Sequence, residues 1–228
     1  MKILSIDTSN KSSSVSILEN DDVIGEIFLN CGLVHSKTIY STVKNLIDLT
    51  SSKMNEIDLL AVCTGPGSYT GIRIGTSLIK GLSFALNKPC IGVFSLLTLA
   101  HSVDFDNNSA IYSCINANKD EIYFNSYDFC KETSKLKKRF DDSFISFDKL
   151  SSIIKNEKKQ IIFVGNASEL CYNKFNMNLS NAKFKLINIH SSIVGKVAYE
   201  YFDVNRKYSA SELTPNYLKE VKIERKKK

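Results

Sequence analysis

The sequence has no long uninterrupted apolar run, and its richest apolar stretch, residues 89–100, is interrupted by Gly92, Ser95 and Thr98. A membrane-spanning helix needs roughly 18–20 apolar residues, so a span is not expected. The first residues reach Asp7 too soon for the apolar region of a secretion signal, which takes about 7–15 residues. We therefore expect a cytoplasmic protein with neither a membrane span nor an export signal.

Clustered cysteines are also absent. The chain has no C-x-x-C pair, and its six cysteines are widely spaced: Cys31, Cys63, Cys90, Cys114, Cys130 and Cys171. This spacing argues against a zinc ribbon and against a disulfide framework. The cysteines are predicted to be reduced thiols, most of them small apolar residues of the core.

Histidine is scarce, with only His35, His101 and His190 in the chain. None belongs to an H-E-x-x-H motif, and Ile39 occupies the position that would complete a His-x-x-x-His pair with His35. A zinc or iron site is therefore not expected. The same wide spacing offers no evident Ser-His-Asp triad.

The composition is that of an ordinary folded protein. The chain has 228 residues, 43% of them hydrophobic and 24% charged, which suits one large domain or two small ones. Its net charge of +6 comes from residues 101–228, and six of the last ten residues are basic. This excess lies in a tail and in a lysine-rich loop at 131–139, away from any recognised nucleic-acid motif. We expect a solvated tail that adds at most a weak, salt-sensitive contact with RNA.

Apolar periodicity predicts an α/β protein made of two modules. The first is predicted to contain, in order, three antiparallel strands before residue 30, a helix at 35–51, a strand at 59–63, a glycine-rich turn, a helix at 72–86 and a strand at 90–93. The second is predicted to contain strands at 110–115 and 121–127, a helix at 147–155, strands at 161–164 and 184–189, and a closing helix at 192–203. The predicted divisions are residues 1–105, 106–205 and 206–228, and the similar order of elements suggests a duplicated architecture.

The densest motif is the turn before the second helix, made of Gly65, Pro66, Gly67, Ser68, Tyr69 and Thr70. Backbone N–H groups of such a turn can hold an anion at a helix start. No Gly-Lys-Ser/Thr sequence closes it, so it is not a Walker A loop. The alternative is a capped turn with Thr70 as the N-cap. Asp7, at the end of the first strand, could likewise face a metal-bound phosphate or form an Asx-turn.

The second helix has an unusually wide apolar arc. Its predicted polar stripe consists of Arg73, Thr76, Ser77, Lys80, Ser83 and Asn87, with Phe84 inside the stripe. Arg73 lies in the first turn, where the helix dipole disfavours a cation, so we expect it to pair with a carboxylate or a phosphate. Gly71 and Gly75 would let another helix approach closely. We therefore expect this helix to be buried on two sides. A partner protein would cover one of them, or the helix would be a central helix inside a monomer.

Several of these segments resemble the bacterial TsaB (YeaZ) family. The matching segments are residues 3–9, 35–36, 65–75, 80–82 and 92–96, with weaker similarity at 116–123 and 214–218. The resemblance spans nearly the whole chain, and the glycine motif is its specific part. It implies a two-lobed actin-like ATPase fold (ASKHA, RNase H-like) with mixed sheets flanked by helices.

The resemblance also implies a role. Members of the family are non-catalytic partners of TsaD, which forms N6-threonylcarbamoyladenosine in tRNAs that read codons beginning with A, and TsaE is the ATPase of the complex. By this resemblance the chain carries no catalytic, metal or cofactor residues of its own, although nucleotide can sit at the interface with TsaD. Contact with tRNA would be indirect, through the complex.

The partner is expected to dock on the two helices of the first module, and two copies of the chain can pair through the same surface. The predicted interface residues are His35, Ile39, Val43, Leu46, Ile47, Gly71, Ile72, Arg73, Gly75, Ile79 and Phe84. Aspartate at Ile72 or Phe84 is expected to weaken the complex and leave the fold intact.

Two other functions make different demands on the sequence. A free-standing ATP-dependent kinase or ATPase of the same fold would need a glycine pair for phosphate in the second lobe, where residues 165–167 offer only Gly165. A metallopeptidase would need more metal ligands than the three dispersed histidines provide.

Overall fold

A computed structural model describes residues 1–30, 32, 35–104, 108–118, 120–130, 132–133, 135–175, 182–203 and 208–218. The predicted basic tail at 219–228 lies outside the described residues, as does part of the predicted lysine-rich loop. No helix within the described ranges is long and apolar enough to cross a membrane.

The first sheet has five strands: β1 (Lys2–Asp7), β2 (Ser13–Glu19), β3 (Asp22–Leu29), β4 (Leu59–Gly65) and β5 (Cys90–Phe94). Their order is β3-β2-β1-β4-β5, with β1, β2 and β3 antiparallel and β1, β4 and β5 parallel. The predicted three-strand antiparallel opening is confirmed. The strand β4, which lies between β1 and β5, is buried along its whole length, which explains the apolar run at residues 59–63.

Two helices, α1 (His35–Leu49) and α2 (Tyr69–Leu86), cover one face of this sheet. Both helices were predicted, but α2 begins three residues earlier than expected. Its N-cap is Ser68, whose hydroxyl accepts a hydrogen bond from the backbone N–H of Gly71 at 3.2 Å. The prediction that Thr70 is the N-cap is therefore wrong, because the chain is already helical at Tyr69.

The second sheet contains β6 (Ser109–Asn116), β7 (Glu121–Cys130), β8 (Lys135–Lys138), β9 (Ser143–Ser146), β10 (Gln160–Val164) and β11 (Ala182–Lys185). Its order is β11-β10-β6-β7-β8, and β9 also pairs with β7. Helices α4 (Phe147–Ile154) and α5 (Ser168–Phe175) pack on its outer face. Sequence patterns did not predict β8, β9 or α5. The segment treated as a lysine-rich loop thus contains an edge strand.

A shared apolar core lies between the two sheets, around α3 (Ser95–Ala100) and α6 (Ser191–Tyr201). The prediction that the helix at 192–203 closes the second module is wrong, because α6 packs on β1, β2 and β4 of the first sheet. Gly195 permits this close approach, since a Cβ there would lie 2.8 Å from the Ser5 hydroxyl. Ser5 Oγ also donates a hydrogen bond of 2.8 Å to the Ser191 carbonyl.

The β3 residue Glu26 fixes the start of α6. Its carboxylate accepts hydrogen bonds from the Ser192 backbone N–H at 2.9 Å and from the Ser191 hydroxyl at 3.0 Å. His190 Nδ1 lies 3.0 Å from the same carboxylate. A negative group at a helix start is favourable, and these contacts lower the pKa of Glu26 despite its partial burial. The edge strand β3 is thus tied to a helix on the other face of its sheet.

Candidate partner-binding face and glycine turn

The two helices α1 and α2 start at the same edge of the first sheet and run side by side. His35 Nε2 lies 2.7 Å from the carbonyl oxygen of Asn10, and the Ser68 N–H donates to the carbonyl of Ser9 at 2.7 Å. Both contacts are at the loop that follows β1. The outer faces of α1 and α2 therefore form one two-helix surface, which we call the α1/α2 face.

Most of the predicted interface residues point away from this surface. Nine of the eleven are buried within the chain itself: His35, Ile39, Val43, Leu46, Ile47, Gly71, Ile72, Gly75 and Ile79. Ile72 is 1% exposed, so the prediction that an aspartate there leaves the fold intact is wrong. A charge at this position would be buried without a partner.

The predicted polar stripe of α2 is also partly buried. Thr76 and Ser83 are only 3% and 6% exposed, and Ser83 Oγ donates a hydrogen bond of 2.6 Å to the Lys88 carbonyl. The exposed residues of α2 are Tyr69, Thr70, Arg73, Ser77, Gly81, Phe84 and Ala85, and a stripe along the helix contains Arg73, Ser77, Gly81 and Phe84. Small polar residues of α2 thus border the core: the Ser83 hydroxyl bonds to a nearby carbonyl, whereas the Thr76 hydroxyl has no hydrogen-bond partner among the described residues.

Large apolar side chains lie on the α1/α2 face. Phe84 is 88% exposed, Leu49 76% and Tyr40 63%. At 1.5 Å rise per residue, Phe84 and Leu49 each lie about 20 Å from the start of their helices. Because the two helices start at the same sheet edge, the two side chains lie at nearly the same distance from that edge. The sequence predicted Phe84 but not Tyr40 or Leu49, because apolar periodicity in α1 marks only the face toward the sheet.

The glycine turn is held by its own contacts. The Ser68 N–H donates to Ser9, the Gly71 N–H donates to Ser68 Oγ, and Thr8 Oγ1 donates to the Gly71 carbonyl at 2.7 Å. A Cβ on Gly75 would lie 2.5 Å from Thr8 Oγ1. The two N–H groups are thus already paired, which favours the capped turn over the anion site. Gly71 and Gly75 admit the chain after β1, and the prediction that they admit another helix is wrong.

Asp7 lies behind this turn, fully buried. Its Oδ1 accepts hydrogen bonds from the Ser9 N–H at 3.0 Å and from Ser9 Oγ at 2.6 Å, as in an Asx-turn. Its Oδ2 has no hydrogen-bond partner among the described residues. Burial raises the pKa of Asp7 to about 6, and the Ser9 hydrogen bonds oppose that rise. Within the described ranges, no group of three His, Cys, Asp or Glu side chains is placed to hold a metal ion.

Arg73 does not pair with an acid in the described part of the chain. Its Nε donates to the Tyr217 hydroxyl at 2.8 Å, and its Nη2 donates to the Tyr69 hydroxyl. The guanidinium lies 3.9 Å from the centre of the Tyr69 ring. Among the described residues the side-chain partners of Arg73 are thus two phenols and not an acid, and one of the phenols is 144 residues away in sequence.

A polar cleft of about 610 Å³ lies between the two sheets beside the glycine turn. One hydrogen bond crosses the cleft: Asn166 Nδ2 of the second lobe donates to Asn10 Oδ1 of the first at 3.2 Å. Asn166 is itself held within the second lobe, since its Oδ1 accepts from the Asn116 N–H at 2.7 Å. The second lobe thus contacts the first at the loop after β1.

Comparison with known proteins assigns this arrangement to a family. The family model for TsaD, tRNA N6-adenosine threonylcarbamoyltransferase, matches residues 31–223. The chain is 30% identical over 171 residues to TsaB, a tRNA threonylcarbamoyladenosine biosynthesis protein of Bacillus subtilis, covering 75% of this chain and 73% of that protein. The chain belongs to the TsaB (YeaZ) family. It is also 34% identical over 128 residues to Escherichia coli TsaB, a match that covers 56% of this chain and about half (55%) of that protein.

A solved structure shares the fold of this chain. YeaZ from Pseudomonas aeruginosa superposes with a TM-score of 0.78 at 19% identity, over 95% of this chain and 99% of that one. The expected fold, a two-lobed actin-like fold with mixed sheets flanked by helices, is confirmed. The TsaB resemblance expected from the glycine motif is confirmed as well.

Proposed function

We propose that this chain is a non-catalytic partner subunit of TsaD in the formation of N6-threonylcarbamoyladenosine in tRNA. The TsaB relatives are named as biosynthesis proteins of this modification. In the proposal, TsaE joins the assembled pair, and tRNA contacts this chain only through the complex. The chain acts by stabilising the competent conformation of TsaD.

The observation that carries the proposal is the exposed apolar surface of α1 and α2. Phe84 and Leu49 are each more than three-quarters exposed. Full burial of one such side chain is worth about 1.5–3 kcal/mol, so solvent exposure of both is unfavourable unless a partner covers them. Because the α1/α2 face lies away from the shared core, a partner can cover it without rearranging the two lobes.

The first turn of α1 supports a non-catalytic role. The family resemblance implies a His-x-x-x-His metal site in TsaD-like relatives, whereas here Ile39 stands four residues after His35 and is buried. His35 itself is buried, with Nε2 against the Asn10 carbonyl. The two positions together therefore do not supply the pair of histidine ligands that such a metal site requires.

The experiment measures binding of purified cognate TsaD to the wild-type chain and to Phe84→Asp, by calorimetry and by co-elution. We expect Phe84→Asp to weaken binding by at least tenfold, as for an aromatic anchor of an interface. Leu170→Asp is the matched control, since Leu170 is 43% exposed on α5 of the other lobe. Thermal unfolding of both variants shows whether they remain folded.

Two results would contradict the proposal. The first is a folded wild-type chain that does not bind TsaD, together with normal modified-nucleoside levels in cells depleted of the chain. The second is equal loss of binding in Phe84→Asp and Leu170→Asp, which would place the contact elsewhere. Self-association through the same face should compete with TsaD and should also be weakened by Phe84→Asp.

A further inference from the structure

Arg73 is an exposed cation that is already ordered for binding. Tyr69 lies beneath its guanidinium, and Tyr69 and Tyr217 each accept one of its hydrogen bonds. The two rings are 4.8 Å apart and each residue is 40% exposed. An arginine held in this way has already lost much of its side-chain freedom, so it loses less on binding a further group.

The guanidinium still has hydrogen-bond donors to offer. The two tyrosines use Nε and one N–H of Nη2, and Nη1 has no hydrogen-bond partner in the described part of the chain. The other arginine there, Arg139, forms ion pairs with Asp128 and Glu157. Arg73 differs in having no such acid among the described residues.

The charge of the two helices favours an acidic ligand. The two helices contain Lys37, Lys44, Arg73 and Lys80 but only one acid, Asp48. Arg73 also shares the exposed stripe of α2 with Phe84. An acidic group at this end of the face would therefore complement both the local charge and the adjoining apolar surface.

We propose that Arg73 binds a carboxylate side chain of the partner protein, with Tyr69 and Tyr217 holding the guanidinium in position. This rests on the proposed function, because the partner is the protein that covers the α1/α2 face. The continuity of Arg73 with that face favours a protein carboxylate. An RNA backbone would instead require several cations along one groove.

The experiment titrates TsaD into the full-length chain at about 50 mM and about 500 mM salt, where screening lengths differ about threefold. Variants are Arg73→Met, Arg73→Lys and Tyr217→Phe. Lys196→Met is the control, since it removes an exposed helix cation from α6, on the opposite face of the first sheet. Thermal melts establish that each variant is folded.

We expect Arg73→Met to weaken TsaD binding about tenfold at low salt, the size of a charge-assisted hydrogen bond, and to reduce the salt dependence. Arg73→Lys keeps the charge without the planar fork and should weaken binding about threefold to fivefold. Tyr217→Phe should fall between Arg73→Lys and wild type, and Lys196→Met should match wild type. If Arg73→Met does not fold, Arg73→Lys decides the question.

Three results would overturn the Arg73 proposal. If Arg73→Met binds TsaD with unchanged affinity and salt dependence while Phe84→Asp still binds weakly, the proposed function stands and Arg73 takes no part in the contact. Unchanged TsaD affinity with reduced tRNA affinity of the assembled complex would make the ligand an RNA phosphate. Glu220→Gln is titrated as well, because Glu220 is the acid three residues after Tyr217 in the sequence, and an equal loss of TsaD affinity in this variant would assign the carboxylate to this chain itself. Absence of TsaD binding by the wild-type chain would instead contradict the proposed function.

Discussion

At the scale of single residues, Asp7 is a buried acid whose ionised form is disfavoured. A fully buried carboxylate loses its hydration; Oδ1 of Asp7 accepts two hydrogen bonds from Ser9, and Oδ2 accepts none from the residues that the structure describes. The pKa of Asp7 therefore rises from 3.8 to about 6. The folded state holds the proton more tightly than the unfolded chain does, so ionisation of Asp7 opposes folding.

This shift makes the stability of the chain depend on pH in a definite direction. The contribution of Asp7 to the free energy of unfolding is largest below its ordinary pKa of 3.8, falls as pH rises toward about 6, and is level above that. A shift of one pKa unit corresponds to about 1.36 kcal/mol, so the full change in the free energy of unfolding is at most ~3 kcal/mol. Asp7→Asn keeps the Oδ1 acceptor without the charge, so it should remove this dependence and raise the free energy of unfolding near neutral pH by about 1–2 kcal/mol.

Urea unfolding at about pH 4.5 and about pH 7.5 measures the difference between Asp7→Asn and wild type. The variant should gain at the higher pH relative to the lower one. A constant difference at the two pH values would mean that Asp7 titrates normally in the folded protein.

At the scale of elements, α2 shows how one helix meets two different surroundings. Gly71 lies against the carbonyl of Thr8, where a Cβ would overlap that backbone oxygen. Gly81 lies on the exposed side, where a Cβ would have no atom within 4 Å. The same residue type thus serves close packing at one position and only weakens the helix at the other.

Alanine substitution should separate these two glycines. Gly71→Ala forces the β1 loop away from α2 and is expected to lower the free energy of unfolding by about 2–4 kcal/mol. Gly81→Ala is the matched control and should raise it by up to about 1 kcal/mol, the difference in helix propensity. Chemical denaturation of both variants gives the two values. Equal effects of the two substitutions would show that Gly71 does not pack as described.

At the scale of the whole molecule, the chain crosses between its lobes late in the sequence. Helix α6 returns to the first sheet, where Val194, Val197 and Ala198 enter the shared core. The segment 208–218 then follows the sheet edge, with the Asn216 N–H donating to the Thr64 carbonyl at 2.8 Å. The first lobe is therefore completed by residues that follow the second lobe in sequence.

Truncation tests this arrangement. A chain ending at residue 186 would lack α6 and expose the apolar face of the first sheet, so we expect no cooperative thermal transition. A chain ending at residue 218 retains every described residue and should melt like the full chain. Far-UV circular dichroism follows both. A cooperative transition in the shorter chain, near that of the longer one, would show that the division at residue 105 marks independently folding units.

Local patterns predicted most of the elements correctly. Alternation indicated β1 to β3, helical spacing indicated α1 and α2, and the glycine cluster marked the turn between β4 and α2. The short strands β8 and β9 were missed because four-residue edge strands carry too little periodicity to register. The N-cap was misplaced for a similar reason: Ser68 and Thr70 are both good caps, and the choice depends on where the backbone becomes helical.

The sequence by itself determined the α/β class, the place of the glycine turn, the missing histidine pair and the resemblance to the TsaB family, because these depend on residues close together in the chain. Only the tertiary structure decided which side of α2 is exposed, where α6 packs, and that Tyr217 meets Arg73. Periodicity shows that a helix has an apolar side, but it does not show whether that side is covered by the same chain or by another. That difference depends on contacts between distant segments, which the path of the whole chain sets.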